Sequence, residues 1–107
     1  MRNLTMMSAA CALASIGCAA VAAEHEVGQK NNAFSVKALK VKVGDSVSFK
    51  NEDPHFHNVF SLSEIQPFDL GSYPQGQAKK VTFSKPGTVE VECAIHPAMK
   101  MVVEAAK

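Results

Sequence analysis

Tryptophan is absent from this 107-residue chain, and tyrosine occurs once. No block of like charge appears, so the electrostatic footprint that would recruit nucleic acid or an anionic membrane surface is missing. Paired carboxylates, a Ser/His/Asp set and a phosphate-cradling glycine loop are all lacking, which leaves a hydrolase without its parts and points to no small-molecule substrate. Internal repeats and low-complexity segments are also absent. Cysteine is scarce: Cys11, Cys18 and Cys93 are the complete set.

The first 23 residues, MRNLTMMSAACALASIGCAAVAA, have the form of a secretory signal peptide. Arg2 is their only charge, and a run of small and apolar residues follows, ending in alanines. The run is too rich in alanine for a good membrane span, which needs ~20 strongly apolar residues. Cleavage after Ala22 or after Ala23 satisfies the small-x-small rule. Lipidation at Cys18 would be a second route, but Ser15-Ile16-Gly17 lacks the usual leucine. The expected division is a leader over 1–23 and one domain over 24–107, in the periplasm of a bacterium.

Export changes the arithmetic. The single arginine leaves with the leader, so ten lysines and ten acids remain and the formal charge is zero. A domain of 84 residues is small enough to benefit from a staple such as a metal or disulfide. A disulfide within the chain is ruled out, because Cys93 alone survives. An inert buried thiol is the ordinary alternative, but a lone cysteine in an oxidising compartment is a liability unless something occupies it.

The domain reads as β structure. The stretch 34–43, FSVKALKVKV, places Val36, Leu39, Val41 and Val43 among polar residues, and Gly44-Asp45 is a turn. SVSFK at 46–50 alternates, with Val47 and Phe49 on one face. NEDPH at 51–55 is a loop by composition, and HNVFSL at 57–62 is strand-like. Residues 62–70 are ambiguous, with Ser63-Glu64 able to open one helical turn. Gly71, Pro74 and Gly76 break 70–77. KKVTF and TVEVEC are strands separated by Lys85-Pro86-Gly87, and MVVEA closes the chain. Short strands at this spacing suggest a sandwich or barrel. The period of two puts Val89, Val91 and Cys93 inside with Glu90 and Glu92 outside. Met101 and Val103 face in on the last strand, with Met99 on the same side.

The stretch CAIHPAMKM, 93–101, gathers a thiol, an imidazole and two thioethers within nine residues. Cys93 and His96 can converge from one loop, Met99 follows three residues later, and Pro97 stiffens the connection. These soft ligands suit copper, and a His₂Cys trigonal set with a distant Met is the pattern for electron transfer. One histidine must then come from elsewhere.

At this point the chain resembles a cupredoxin, similar to the plastocyanin, amicyanin and pseudoazurin group. NEDPHFHNVF is like the family's asparagine-rich loop ending in His-Asn-Val. PGTVEVECAIHPAMK is like its Pro-Gly turn, strand and Cys-x-x-His-x-x-Met loop. The resemblance covers roughly 34–105. It implies an all-β, Greek-key β-sandwich with one copper ion at one end, shuttling between Cu(I) and Cu(II). The implied ligands are His57, Cys93, His96 and Met99, and Asn58 matches the asparagine that ties the two ligand loops together. Where the family often has Ser or Thr after the cysteine, this chain has Ala94.

Two positions have competitors. His55 could replace His57, since residues two apart project to the same side, but it follows Pro54 in the loop and reads better as a surface residue. Met101 would give a longer ligand loop than Met99. His96, as in the family, is expected to carry electrons at a modest apolar face made with Ile95, Pro97 and Ala98. That face suits transient redox partners of a monomer, in encounters burying less than ~1,200 Å². A copper-delivery protein is the alternative function. His25 offers a minor second idea: cleavage after Ala22 would put it third in the mature chain, where a free amine, two amides and its ring could hold Cu(II) in a plane.

Overall fold

The computed structural model describes residues 21–107. Nine strands form two sheets, and no helix occurs among the described residues. One sheet has the order β2-β1-β4-β7, built from β1 (Glu24–Lys30), β2 (Ala33–Phe34), β4 (Ser46–Asn51) and β7 (Ala78–Thr82). The other has the order β3-β9-β8-β5-β6, from β3 (Ala38–Lys42), β9 (Lys100–Ala106), β8 (Gly87–Cys93), β5 (His57–Ser61) and β6 (Phe68–Tyr73). This is the expected all-β sandwich. The leader proposed over 1–23 lies almost wholly outside the described residues.

Alternation decides which face each strand buries. Val47 and Phe49 of β4, and Val89, Val91 and Cys93 of β8, all point into the space between the sheets. Met101 and Val103 of β9 do the same. Each fully buried valine contributes roughly 1.5–3 kcal/mol relative to exposure. Between β7 and β8, Gly87 turns with φ 136°, and a Cβ there would meet Ile65 at 2.5 Å. The Lys85-Pro86-Gly87 turn is therefore specific to glycine at its last position.

Three segments differ from the sequence expectation. The run 34–43 is not one strand: it ends β2 at Phe34, bends, and resumes as β3 in the opposite sheet, leaving Val36 38% exposed. Residues 68–73 form β6 despite Gly71, because that glycine adopts φ 74° at the sheet edge, where β5 and β6 are irregularly paired. Residues 63–66 make a hydrogen-bonded turn, with Gln66 N donating to Ser63 O, and no helix.

β1 escapes the pattern because its buried face is half polar. Val27 and Gln29 both point inward, and Gln29 donates to the Tyr73 hydroxyl at 2.9 Å. That hydroxyl donates to the Phe49 carbonyl at 2.8 Å. Burial pushes the Tyr73 phenol up to about 12. Asn51 continues this polar seam, giving its amide hydrogens to the carbonyls of Tyr73 and His55 and accepting from Asp53 N. The seam clamps loop 52–56 onto one end of the sandwich.

The far end of β1 is tied differently. Glu24 and His25 stand in parallel register with Ser46 and Val47, and His25 Nε2 lies 2.9 Å from Asp45 Oδ2. A planar copper site at His25 needs the amide nitrogens of residues 24 and 25, and both residues here lie in β1, in register with β4. The fold uses His25 to latch Asp45 instead.

Candidate metal centre

Three segments meet at the end of the sandwich where β5 starts and β8 stops. β5 pairs with β8 so that Val59 faces Cys93. His57 begins β5 and points inward, fully buried. Cys93 ends β8, 2% exposed. Beyond it the chain loops through Ile95-His96-Pro97-Ala98 and returns as β9. Met99 closes that loop: its carbonyl accepts from Cys93 N at 3.3 Å, and its amide donates to His96 O at 2.9 Å.

The donor atoms converge. Cys93 Sγ lies 3.6 Å from His57 Nδ1 and 3.8 Å from His96 Nδ1. An ion held trigonally at ~2.3 Å from sulfur and ~2.0 Å from each nitrogen would separate S and N by about 3.7 Å. The apposition thus matches a shared ion better than a set of direct hydrogen bonds. A thiol and two imidazoles, on a loop closed by the buried Met99, are donor types suited to copper in both oxidation states. Met99 and Met101 are both buried, but they differ in place. Met99 stands across the mouth of the β8–β9 ladder from Cys93, while Met101 lies deeper, paired with Val91.

The sulfur also accepts from Asn58 N at 3.4 Å, and Asn58 O accepts from Ala94 N at 2.9 Å. These backbone contacts tie the two donor loops. The Asn58 side chain adds nothing on one side: its Oδ1 is buried without a partner. Ala94 has no hydroxyl to offer it.

Composition alone did not single out Asp53. Its carboxylate is buried and lies 2.7 Å from His57 Nε2. An ionised carboxylate only accepts, so Nε2 carries the hydrogen and Nδ1 is left free as a donor atom for metal. Asp53 also accepts from the amides of Asn31 and Asn32. These two residues form the β1–β2 hairpin turn with φ 55° and 57°, the left-handed pair that asparagine tolerates. Burial works to raise the Asp53 carboxyl, but the bonds from His57, Asn32 and Asn31 outweigh it and hold it at about 2. Two signals were available in the sequence: the Asp53-x-x-x-His57 spacing and the Asn-Asn dipeptide.

His55 sits at the rim. Its side chain is 46% exposed, and its Nε2 lies 2.6 Å from Asn32 Oδ1. Its ring centroid is 5.0 Å from that of His57 and 5.1 Å from that of His96. One nitrogen from each of the three imidazoles lies within 4.8 Å of the others. Loss of surrounding water, then the neighbouring His57 and His55, hold the half-buried His96 ring below its ordinary range.

The family described as copper binding proteins, plastocyanin/azurin family, matches residues 21–106. Methylamine utilization protein MauL of Methylorubrum extorquens strain AM1 is 33% identical over 107 residues, covering 99% of this chain and 94% of that protein. Amicyanin of Paracoccus denitrificans is 34% identical over 76 residues, which is 58% of its length. A solved Cu(I) structure of an amicyanin variant superimposes with TM-score 0.72 at 26% identity, covering 77% of this chain and 81% of that one. The copper-containing nitrite reductase of Thermus scotoductus matches with TM-score 0.73 and 28% identity, but over only 22% of its chain. With the sandwich and the converging donors, these matches make the chain a member of the copper-binding plastocyanin/azurin family, with copper as its cofactor.

Proposed function

We propose that the protein is an exported, periplasmic single-electron carrier with one type 1 copper centre held by His57, Cys93, His96 and Met99. The observation that carries this is the placement of Cys93 Sγ 3.6 and 3.8 Å from two imidazole Nδ1 atoms, in a rigid and largely dry end of the sandwich. Copper supplies the one-electron couple. The chain supplies rigidity, since His57 is fixed by Asp53 and Cys93 by Asn58, so the donors need not rearrange between oxidation states.

Four donors leave no open position for a substrate, which argues against catalysis. Burial of His57, Cys93 and Met99 argues against a carrier that surrenders its copper readily. Electrons pass through His96, the half-buried member of the set. Around it Ile95 is 49% exposed, and Pro97 and Ala98 are exposed too. This apolar rim suits brief docking of a redox protein onto a monomer. The similarity to a methylamine utilization protein makes a methylamine-utilising system the first place to seek that partner.

The test is to load the purified protein with Cu(II) and record visible and EPR spectra. An intense thiolate-to-copper band that disappears in Cys93→Ser is expected. A wild-type protein that binds Cu(II) without such a band would overturn the reading.

A further inference from the structure

The proposed ligand set has poor access to water. His57 is fully buried, and Cys93 and Met99 are each 2% exposed. An incoming ion can first touch only His96, half-buried, or a group beside it. The group beside it is His55, a side chain that the four-donor centre does not use.

We infer that His55 is a loading ligand: with His96 it forms a surface station that captures copper and passes it to Cys93 and His57. This rests on the copper centre proposed above. Three observations carry it. The His55 and His96 rings share the mouth of the site, with centroids 5.1 Å apart and planes tilted by 54°. A nitrogen of His55 lies within 4.8 Å of nitrogens on both His57 and His96. And His55 is held in place: Asn32 Oδ1 is 2.6 Å from its Nε2, with the Asp53 carboxylate 3.6 Å from the same atom. That leaves Nδ1 as the ring nitrogen able to take an ion, and puts a buried negative charge behind the ring.

The tether on His55 suits a temporary station. Its Nε2 is bound to Asn32 at the exposed rim, so drawing the ring onto an ion strains that contact and costs affinity. Cys93 Sγ, by contrast, already stands 3.6 and 3.8 Å from the Nδ1 atoms of His57 and His96, the spacing of a shared ion. In the transfer, Cys93 Sγ forms a bond to the ion as the bond to His55 breaks. The Cys93 thiol proton leaves to solvent, and no electron moves.

A station on the path lowers the barrier in both directions, so its loss should slow uptake and release alike. The experiment mixes the metal-free protein with Cu(II) and follows growth of the thiolate-to-copper band by stopped flow. Loss of the band to a competing chelator is followed separately. His55→Ala should slow both by about tenfold or more, the scale seen when a group supporting a metal site is removed. His55→Gln can keep a polar contact to Asn32 but has no imidazole, and should be equally slow. His25→Ala, at the opposite end of the sandwich, serves as the control and should match wild type. In a Cys93→Ser background the thiolate is gone while the first station, His57 and Met99 remain, so adding His55→Ala should weaken Cu(II) binding by about tenfold in a competition titration.

Unchanged uptake in both His55 variants overturns the inference, as does slowed uptake with unchanged release. Equal Cu(II) affinity of Cys93→Ser with and without His55 also overturns it. A wild-type protein that never develops the band fails the copper-centre reading itself, a distinct result from a band that forms at the same rate in every variant.

Discussion

The carboxylate of Asp53 lies 2.7 Å from Nε2 of His57, and both groups are buried. One ring thereby has two fixed sides. Its Nε2 hydrogen is bound to Asp53, and its Nδ1 faces Cys93 sulfur at 3.6 Å. The β1–β2 hairpin holds Asp53 in turn through the amides of Asn31 and Asn32. Removing the carboxylate frees the ring and leaves three buried or partly buried donors without an acceptor. Asp53→Ala should therefore weaken copper binding by about 10–100-fold. Competition against a chelator of known affinity measures this. An unchanged affinity would mean that packing alone orients His57.

The same carboxylate gives the fold an acid limit. Asp53 and Asp45 are both held at about 2, against an ordinary value of 3.8. For Asp45 the causes are the hydrogen bond to His25, then the amides of Ala23 and Lys42. A carboxyl whose folded value is depressed stabilises the protein fully above its unfolded value, and that contribution is lost as pH falls through the folded one. Urea midpoints of the metal-free protein should thus fall as pH drops from about 4 to about 2. The fall should be shallower in Asp53→Asn and in Asp45→Asn. Parallel curves for wild type and both variants would show that other groups set the acid limit.

Asn58 Oδ1, buried and unpartnered, invites repair. Its backbone already joins Ala94 and the Cys93 sulfur, so a hydroxyl at position 94 would arise beside it. Ala94→Ser should stabilise the metal-free protein by about 1 kcal/mol, the usual net worth of a hydrogen bond. In an Asn58→Ala background the gain should vanish, which a double-mutant cycle in urea unfolding would register. An equal gain in both backgrounds would assign the effect to something other than this bond.

How much of this was legible beforehand depended on whether a residue's role is local. Val89, Val91 and Cys93 could be assigned to the core because strand alternation fixes their side within one segment. The convergence of His57 with Cys93 could be expected from the two family-like motifs, although 36 residues separate them. β1 was not legible, since Gln29 enters the core only by pairing with Tyr73, 44 residues away. Asp53 was missed for the same reason. Its burial is tolerable only because the Asn31-Asn32 turn and His57 supply donors from two other segments. The break at Val36 lay hidden because a strand that changes sheet keeps its apolar composition while losing its shared face.

Docking should depend on the apolar rim around His96. Pro97 and Ala98 are exposed and make no side-chain hydrogen bond, so a charge at either alters the rim and little else. Ala98→Glu should slow reduction by a partner protein at equal concentration by about tenfold, as expected for a charge placed in an apolar contact. Its visible spectrum should match wild type. Unchanged transfer kinetics would move the docking face elsewhere.

The two buried methionines can be told apart by position. Met99 exchanges backbone hydrogen bonds with both Cys93 and His96, so any shift of its side chain is felt at the donor loop. Met101 sits within β9 opposite Val91, one ladder pair deeper on the inward face. A thioether near a thiolate-bound copper tunes its colour and potential, and an amide oxygen in its place stabilises Cu(II). Met99→Gln should therefore change the visible spectrum strongly and lower the reduction potential. Met101→Gln should leave both nearly unchanged, while costing about 1–3 kcal/mol of stability because it buries an amide without partners. Spectroelectrochemistry on the two variants separates the cases. The opposite pattern, a large spectral change in Met101→Gln alone, would assign the axial position to Met101 and make Met99 a packing residue of the loop.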